Sequence, residues 1–265
     1  MILVIDVGNT NTEIGAFEGD EILYSWRFMS KTPRTSDEFA VVFRGFFQND
    51  GIDCKEVESI IVSSVVPSIM HSMYNGLIKV FGIEPLTVSP GIKTGMPILT
   101  CDPSELGTDR IVDAVAAYAE YGGPILVLDF GTATTFDYVN REGAFVAEVT
   151  APGIQISSEA LFKNAAQLPN IAIKKPDSIM AKDTVTSMQA GVVYGYIGQV
   201  EYIINKMIAE AGEPDIKVVA TGGYGRMFMD EVPRIDYYDP QLALKGLKLI
   251  HDKNTVRKKI GNRQY

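Results

Sequence analysis

Four short segments of this chain carry residues that could do chemistry. Asp6-Val7-Gly8-Asn9-Thr10-Asn11-Thr12 follows the apolar run Ile2-Leu3-Val4-Ile5. A turn of Gly and small polar residues after a buried strand can aim its N–H groups at phosphate oxygens, and Asn and Thr side chains add donors. An Asp at the strand end can hold Mg²⁺, usually through water. Asp129-Phe130-Gly131-Thr132-Ala133-Thr134-Thr135 repeats the pattern. Thr221-Gly222-Gly223 follows Val218-Val219-Ala220, and two glycines at a strand end let a flat ligand approach the backbone closely. In the stretch Asp102-Pro103-Ser104-Glu105-Leu106-Gly107-Thr108-Asp109-Arg110, Asp102, Pro103 and Glu105 match the N-cap, N1 and N3 of a helix. Asp109 and Arg110 then lie early on that helix, or on a second one restarted after Gly107. The helix dipole favours an ionised Asp109, as a general base requires. Arg110 offers a fork of donors to a carboxylate or phosphate. Each segment also has a plainer reading as a hairpin turn, a β-to-α turn, or a helix-start Asp paired with its neighbour. Two copies of the first, half a chain apart, favour function, because a turn needs no partner loop.

Other chemistries are excluded. There is no Gly-Lys dipeptide and hence no Walker A loop, and no Gly-x-Gly-x-x-Gly after a strand. His71 and His251 are the only histidines and stand far apart, which argues against a His-rich metal site or a Ser–His–Asp hydrolase. Asp129-Phe130-Gly131 matches a protein-kinase triplet, but no His-Arg-Asp loop accompanies it.

The elements that position these residues repeat. The segments starting at Ile2 and Ile125 align over eleven positions at an offset of 123, with six identities. Continuous apolar runs read as buried strands, so two strand–turn units open two halves of similar size. The break between them is Gly122-Gly123-Pro124, which sets domains at 1–121 and 122–265. Further strands are expected at 21–28, 59–65, 86–88, 136–139, 144–149 and 217–220. Helices are expected at 36–47, 68–81, 111–119, 155–164, 186–211 and 240–250. Strands followed by helices in each half predict two α/β domains. In the stretch from Met188 to Ile208, Val192, Val193, Tyr196, Val200, Ile203 and Ile204 cover more than one helix face, so a second packing surface is expected.

The chain has 265 residues, 46% hydrophobic and 22% charged, with a net charge of −9. Those values fit a folded chain with a sizeable core. The acidic balance disfavours nucleic-acid wrapping and anionic membranes. Two cysteines, Cys54 and Cys101, rule out a disulfide framework and suit a reducing cytosol. The N-terminus has no basic region before a long apolar run, and no stretch approaches a membrane span; a cytoplasmic protein is expected. Lys253, Arg257, Lys258, Lys259 and Arg263 form a basic tail, read as a solvated end.

Taken together, the two Asp-x-Gly loops and the strand-end Gly-Gly resemble the acetate and sugar kinase/Hsp70/actin superfamily. With Gly107-Thr108-Asp109-Arg110, Ser63-Ser64-Val65-Val66-Pro67, Pro152-Gly153-Ile154, Asp183-Thr184-Val185 and the stretches 188–201 and 239–247, the chain resembles the type III pantothenate kinases over nearly its whole length. The resemblance implies two ribonuclease-H-like domains with the nucleotide in the cleft between them. It implies ATP-dependent phosphorylation of the primary hydroxyl of pantothenate, the first step of coenzyme A synthesis, by a homodimer. Asp6, Val7, Gly8, Asn9, Thr10, Asn11, Thr12 and Glu13 would line the ATP phosphates, with Asp6 at Mg²⁺. Gly107, Thr108, Asp109 and Arg110 would contact pantothenate, with Asp109 as the base. Asp129 would hold a monovalent cation, K⁺ or NH₄⁺, and Thr132 would touch ATP; Gly222 and Gly223 would floor the nucleotide. Thr184 would reach pantothenate from the partner subunit. Thr100 stands where many members carry a substrate-contacting Tyr, and Glu13 where many carry Val. A nucleotide-dependent binding module, a phosphohydrolase and a nucleotide-binding regulatory protein are the rival readings of the fold. The Gly107–Arg110 segment and Thr184 set the kinase apart from the first two, and the acidic balance argues against direct DNA binding by the third.

Overall fold

The first apolar run forms β1 (Ile2–Val7), which lies at the centre of a sheet with neighbours on both sides. A computed structural model describes residues 1–261. After β1 come β2 (Asn11–Glu18), β3 (Glu21–Met29), α1 (Ser36–Asn49), β4 (Ser59–Ser64), α2 (Pro67–Phe81), β5 (Leu86–Thr87) and α3 (Thr108–Tyr121). The second half holds β6 (Ile125–Phe130), β7 (Ala133–Val139), β8 (Phe145–Pro152), α4 (Ile154–Asn164), α5 (Thr184–Ala211), β9 (Lys217–Thr221), α6 (Gly225–Met229), β10 (Tyr237–Tyr238) and α7 (Leu242–Gly261).

Contacts divide the chain into two units. One comprises Met1–Met96, Cys101–Ala116 and the chain from Gln241 onward; the other comprises Pro97–Thr100 and Ala117–Pro240. The units therefore do not part at 121/122: residues 97–100 and 117–121 belong to the second unit, and the chain from Gln241 to the first. α7 returns to the first unit, where it packs on β1, β2 and β4. A Cβ at Gly246 would fall 2.1 Å from the Val112 carbonyl oxygen, so α7 lies directly against α3. No local sequence signal specifies such a long-range return.

The first sheet has the order β3-β2-β1-β4-β5. β1 pairs antiparallel with β2 and parallel with β4. Leu3, Ile5 and Val7 point into a core with Phe39, Phe43 and Phe47 of α1 and Met73 and Leu77 of α2. The second sheet, read from its far edge, has the equivalent order β8-β7-β6-β9-β10. Its core gathers Leu126, Leu128 and Phe130 with Val193, Tyr196, Val200 and Ile204 of α5. Each unit is thus an antiparallel meander extended by parallel strands, the expected ribonuclease-H-like plan.

Two local expectations change. β2 begins at Asn11, within the stretch read as turn. The segment from Asp102 does not start a helix: Asp102 accepts a bond from the Ser104 N–H in an isolated turn, and α3 starts at Thr108, after Gly107. Of the basic tail, Lys253 lies on α7, whereas Arg263 lies outside the described residues. Among the described residues, no helix is long and apolar enough to cross a membrane.

Candidate functional site

In the first unit the candidate residues lie at the carboxyl ends of two parallel strands, the place where open α/β sheets bind ligands. Asp6 lies beside Ser63, and Val7 beside Ser64. The chain then turns through Gly8, whose N–H donates to the Asn11 carbonyl at 3.1 Å. Asn9 and Thr10 are exposed at the tip. Val7 is buried in the core, so only its backbone faces the turn. Glu13 is committed across the strands: Arg27 donates to its carboxylate.

Thr108 docks the N-terminus of α3 onto the same strand end. Its hydroxyl shares a 3.0 Å hydrogen bond with Ser63 Oγ and reaches the Ser64 carbonyl at 3.3 Å. Gly107 clears space for the next carboxylate: a Cβ there would sit 2.5 Å from Asp109 Oδ1. The Arg110 N–H donates to Asp109 Oδ1 at 2.8 Å. The helix start was expected to keep Asp109 readily ionised. Instead burial dominates and raises its carboxyl above the ordinary range, against the opposing hydrogen bond and charge of Arg110. A buried carboxylate raised in this way is a stronger base once ionised.

In the second unit two glycine turns converge on Asp129. β6 runs parallel to β9, with Asp129 beside Thr221. A Cβ on Gly222 would fall 2.3 Å from Asp129 Oδ1, and one on Gly131 would fall 3.0 Å from Asp129 Oδ2. Gly222 also has φ +83°, a left-handed conformation that favours glycine. Gly223 is exposed, with open space where a Cβ would be. Thr132 is exposed, and its carbonyl accepts from the Gly153 N–H at 3.1 Å. Thr184 is the first residue of α5, where the Asp183 side chain caps the helix by accepting from the Thr186 N–H at 3.0 Å.

Sequence reasoning missed residues behind the turns. Thr12, fully buried, shares a 2.9 Å hydrogen bond with Ser30 Oγ. Its side chain supports the turn from within rather than facing a ligand. The Ser30 N–H also donates to the Thr10 carbonyl at 2.9 Å. In the second unit Thr134 is buried and hydrogen-bonded to the Tyr196 hydroxyl. No spacing announces Ser30; Tyr196 is visible only as a polar tip on an apolar helix face. Thr100 Oγ1 is buried without a hydrogen-bond partner.

The donor set suits hard cations. Among the described residues no group of three or more His, Cys, Asp or Glu gathers. Mg²⁺ needs no such cage, since it is held by one or two carboxylates, water and phosphate oxygens, and Asp6 at the end of β1 supplies that kind of ligand. Asp129, set among glycine backbone, offers oxygen to a cation of low charge.

A family model described as type III pantothenate kinase matches residues 2–206. The type III pantothenate kinase of Agathobacter rectalis is 55% identical over 253 residues, covering 96% of this chain and 97% of its own. That of Geobacillus thermodenitrificans is 47% identical over 258 residues, covering 97% and 100%. Among solved structures, a conserved Baf family protein from Campylobacter jejuni aligns with TM-score 0.59 at 19% identity, over 96% of this chain and 99% of that one. The activator of 2-hydroxyisocaproyl-CoA dehydratase from Clostridium difficile aligns with TM-score 0.55 at 12% identity, over 97% of both chains. These two structures share the fold expected of the superfamily, and the two relatives share the sequence over nearly full length. The chain belongs to the type III pantothenate kinase family.

Proposed function

We propose that Asp109 is the base in this enzyme's reaction, ATP-dependent phosphorylation of pantothenate to 4′-phosphopantothenate, the first step of coenzyme A synthesis. The observation that carries the assignment is the docking of Gly107–Arg110 onto the carboxyl end of β4, beside Asp6. Thr108 makes that dock, and Gly107 admits the carboxylate. Asp109 accepts the proton of the primary hydroxyl as its oxygen attacks the γ-phosphorus. The bond to the bridging oxygen breaks, and ADP leaves. Such transfers depend on positioning and charge compensation more than on covalent help. Arg110 is suited to the pantothenate carboxylate. In the first unit, Asn9, Thr10 and Asn11 turn donors toward phosphate oxygens, on a turn that Gly8 closes. In the second, Thr132, Gly222 and Gly223 contact the nucleotide. Mg²⁺ at Asp6 would neutralise phosphate charge. The test is mass detection of 4′-phosphopantothenate and ADP from ATP and pantothenate; ADP formed equally without pantothenate would favour a phosphohydrolase.

Asp129 is our candidate for a monovalent cation, K⁺ or NH₄⁺. Replacing K⁺ by Na⁺ should lower turnover sharply, and full activity in sodium alone would remove this site.

The enzyme is also proposed to work as a homodimer. The apolar residues expected to need a partner pack instead on their own core: Val193, Tyr196, Val200 and Ile204 are buried in it, and Val192 and Ile203 lean on it. Support comes from the outer face of α5. Gly191, Gly195 and Gly198 are exposed there with open space around them, and Tyr202 is 70% exposed. Each glycine costs a helix roughly 0.5–1 kcal/mol against Ala. No contact among the described residues explains that cost, whereas close approach of a second copy would. Met180 and Ile179, 79% and 62% exposed, precede the helix, and Thr184 at its start would reach the neighbour's pantothenate. Mixing inactive Asp109→Asn with inactive Thr184→Arg subunits should restore activity; a monomer by light scattering would overturn this. The two free thiols and the phosphorylated metabolites fit a cytosolic enzyme, which fractionation of cells would check.

A further inference from the structure

Behind each strand-end turn stands one buried threonine hydroxyl, and the two are held differently. Thr12 is fully buried and Thr134 is 1% exposed. Thr12 is tied to Ser30, which directly follows β3 in the same meander. Thr134 is tied to Tyr196, more than three turns along α5. The Tyr196 ring also packs near the strand that enters the turn. It lies 6.5 Å from Phe130, the residue between Asp129 and Gly131, and 5.0 Å from Phe228; Phe130 and Phe228 stack at 4.9 Å. The Tyr196 hydroxyl also meets backbone at Ile154, where α4 begins. Ile154 follows Gly153, on which the Thr132 carbonyl rests. One side chain thus contacts the strand entering the turn, the strand leaving it and the helix start beneath it. Tyr196 is 5% exposed and its ring packs near Phe130 and Phe228, and a buried hydroxyl is retained only with a partner.

We infer that Tyr196 is a positioning residue for ATP: through Thr134 it fixes the Asp129–Thr134 turn in its binding shape and ties that turn to α5. This rests on the reading of the second turn as a nucleotide-contacting element. Tyr196 itself touches no reacting atom. Of the assigned pantothenate contacts, Gly107, Thr108, Asp109 and Arg110 lie in the other unit, and Thr184 stands more than three turns from Tyr196 at the start of α5, so the effect should fall on ATP and largely spare pantothenate.

The experiment uses full-length enzyme with Tyr196→Phe, Thr134→Val, the double variant, and Thr134→Ser, which restores a hydroxyl. Calorimetric titration with ATP and steady-state kinetics are run on each. The expected result is a fivefold to tenfold rise in both Kd and KM for ATP in either single variant, on the order of one buried hydrogen bond. KM for pantothenate should stay within twofold. The double variant should be no worse than Tyr196→Phe alone, because Thr134→Val removes only the bond the two share, whereas Tyr196→Phe also gives up the Ile154 contact. Thr134→Ser should bind ATP nearly as wild type does. Wild-type ATP affinity in Tyr196→Phe overturns the proposal, as does a double variant whose loss is the product of the two singles. So does an equal rise in KM for pantothenate, which would mark general loosening. A wild-type protein that binds ATP but makes no phosphopantothenate would instead overturn the kinase reading, and the titrations would still decide the role of Tyr196.

Discussion

The two strand-end turns share a buried strand and an Asp-x-Gly, yet they are closed by different means. In the first, Val7 pairs with Thr12, so four residues make the turn. In the second, Phe130 pairs with Thr134, so three do. Thr12 therefore corresponds to Thr134, and the gapless alignment that set Thr12 against Thr135 slips by one residue inside the turn. The residue after the third strand also differs. Ser30 closes the first turn with a hydroxyl and an N–H. Gly153 closes the second with an N–H and bare backbone: a Cβ there would sit 2.3 Å from the Thr132 carbonyl oxygen and 2.6 Å from that of Gly131. A hydroxyl pair can relax when one member is trimmed. Backbone packed on backbone cannot, so the second turn should be the less tolerant of the two. Asp109 has no counterpart in the second unit's set, so the chemistry should reside in the first.

The sharpest separation of the halves is Asp109→Asn. Turnover should fall by about 10²–10⁴, the usual loss of a general base, while ATP affinity stays. Stability should rise. Burial lifts the Asp109 carboxyl in the fold, so its ionised form at neutral pH costs folding free energy that Asn does not. The gain in Tm should shrink as pH falls through the raised Asp109 value and vanish below the ordinary carboxylate value of 3.8, where Asp109 is neutral in both the folded and the unfolded chain. For the wild type, the acidic limb of kcat/KM should lie above the ordinary 3.8 of an Asp. A variant that keeps its activity would move the chemistry elsewhere.

Gly222→Ala attacks the second turn directly. The left-handed backbone costs an L-residue about 1–2 kcal/mol, and overpacking against Asp129 and Phe130 adds about 1–3. The added methyl meets Asp129 Oδ1 at 2.3 Å and the Phe130 nitrogen at 2.7 Å. ATP binding and any monovalent-cation activation should be lost together. An unaltered cation response would separate Asp129 from the cation.

These outcomes bear on what local sequence can specify. The runs before Asp6 and Asp129 are legible because a strand buried on both sides needs side chains that are apolar everywhere. β2 is not, because Asn11-Thr12-Glu13 has the polar composition of a turn and only pairing with β1 makes it a strand. The Gly107–Arg110 segment is legible by type, but its placement depends on the Thr108 hydroxyl finding β4. Ser30 sits in Ser-Lys-Thr-Pro, a stretch of ordinary loop composition. Its role exists only once Thr12 has been folded against it.

A paired substitution tests the closure itself. Ser30→Ala leaves the Thr12 hydroxyl buried without its partner, at a cost of about 1–3 kcal/mol, yet the turn can keep its path through the Ser30 N–H. Gly153→Ala should cost a similar amount by overpacking, about 1–3 kcal/mol, but must also displace the Gly131–Thr132 backbone. ATP affinity should therefore fall at least tenfold in Gly153→Ala and only a few-fold in Ser30→Ala at comparable loss of Tm. If affinity tracks Tm alike in both, the distinction between a yielding and an unyielding closure is wrong.

The smallest effect is expected at Glu13, inside the first turn's own strand pair. It sits opposite Asp6 across β1 and β2, close enough to suggest a place among the cation ligands. Its carboxylate is instead bound by Arg27 on the other neighbouring strand. That pair is solvent-accessible, with side chains 29% and 56% exposed, so it is screened and worth about 0.2–1 kcal/mol. Glu13→Val should also be well tolerated by the strand, since β-branched residues suit a pleated, half-buried surface. Loss of the pair and gain in strand propensity then nearly cancel. Activity within twofold of wild type at saturating Mg²⁺, and an unchanged Mg²⁺ requirement, would confine the cation to Asp6. A tenfold rise in the Mg²⁺ needed for half-activity would instead make Glu13 a second ligand, giving the first turn a carboxylate where the second has only Thr135.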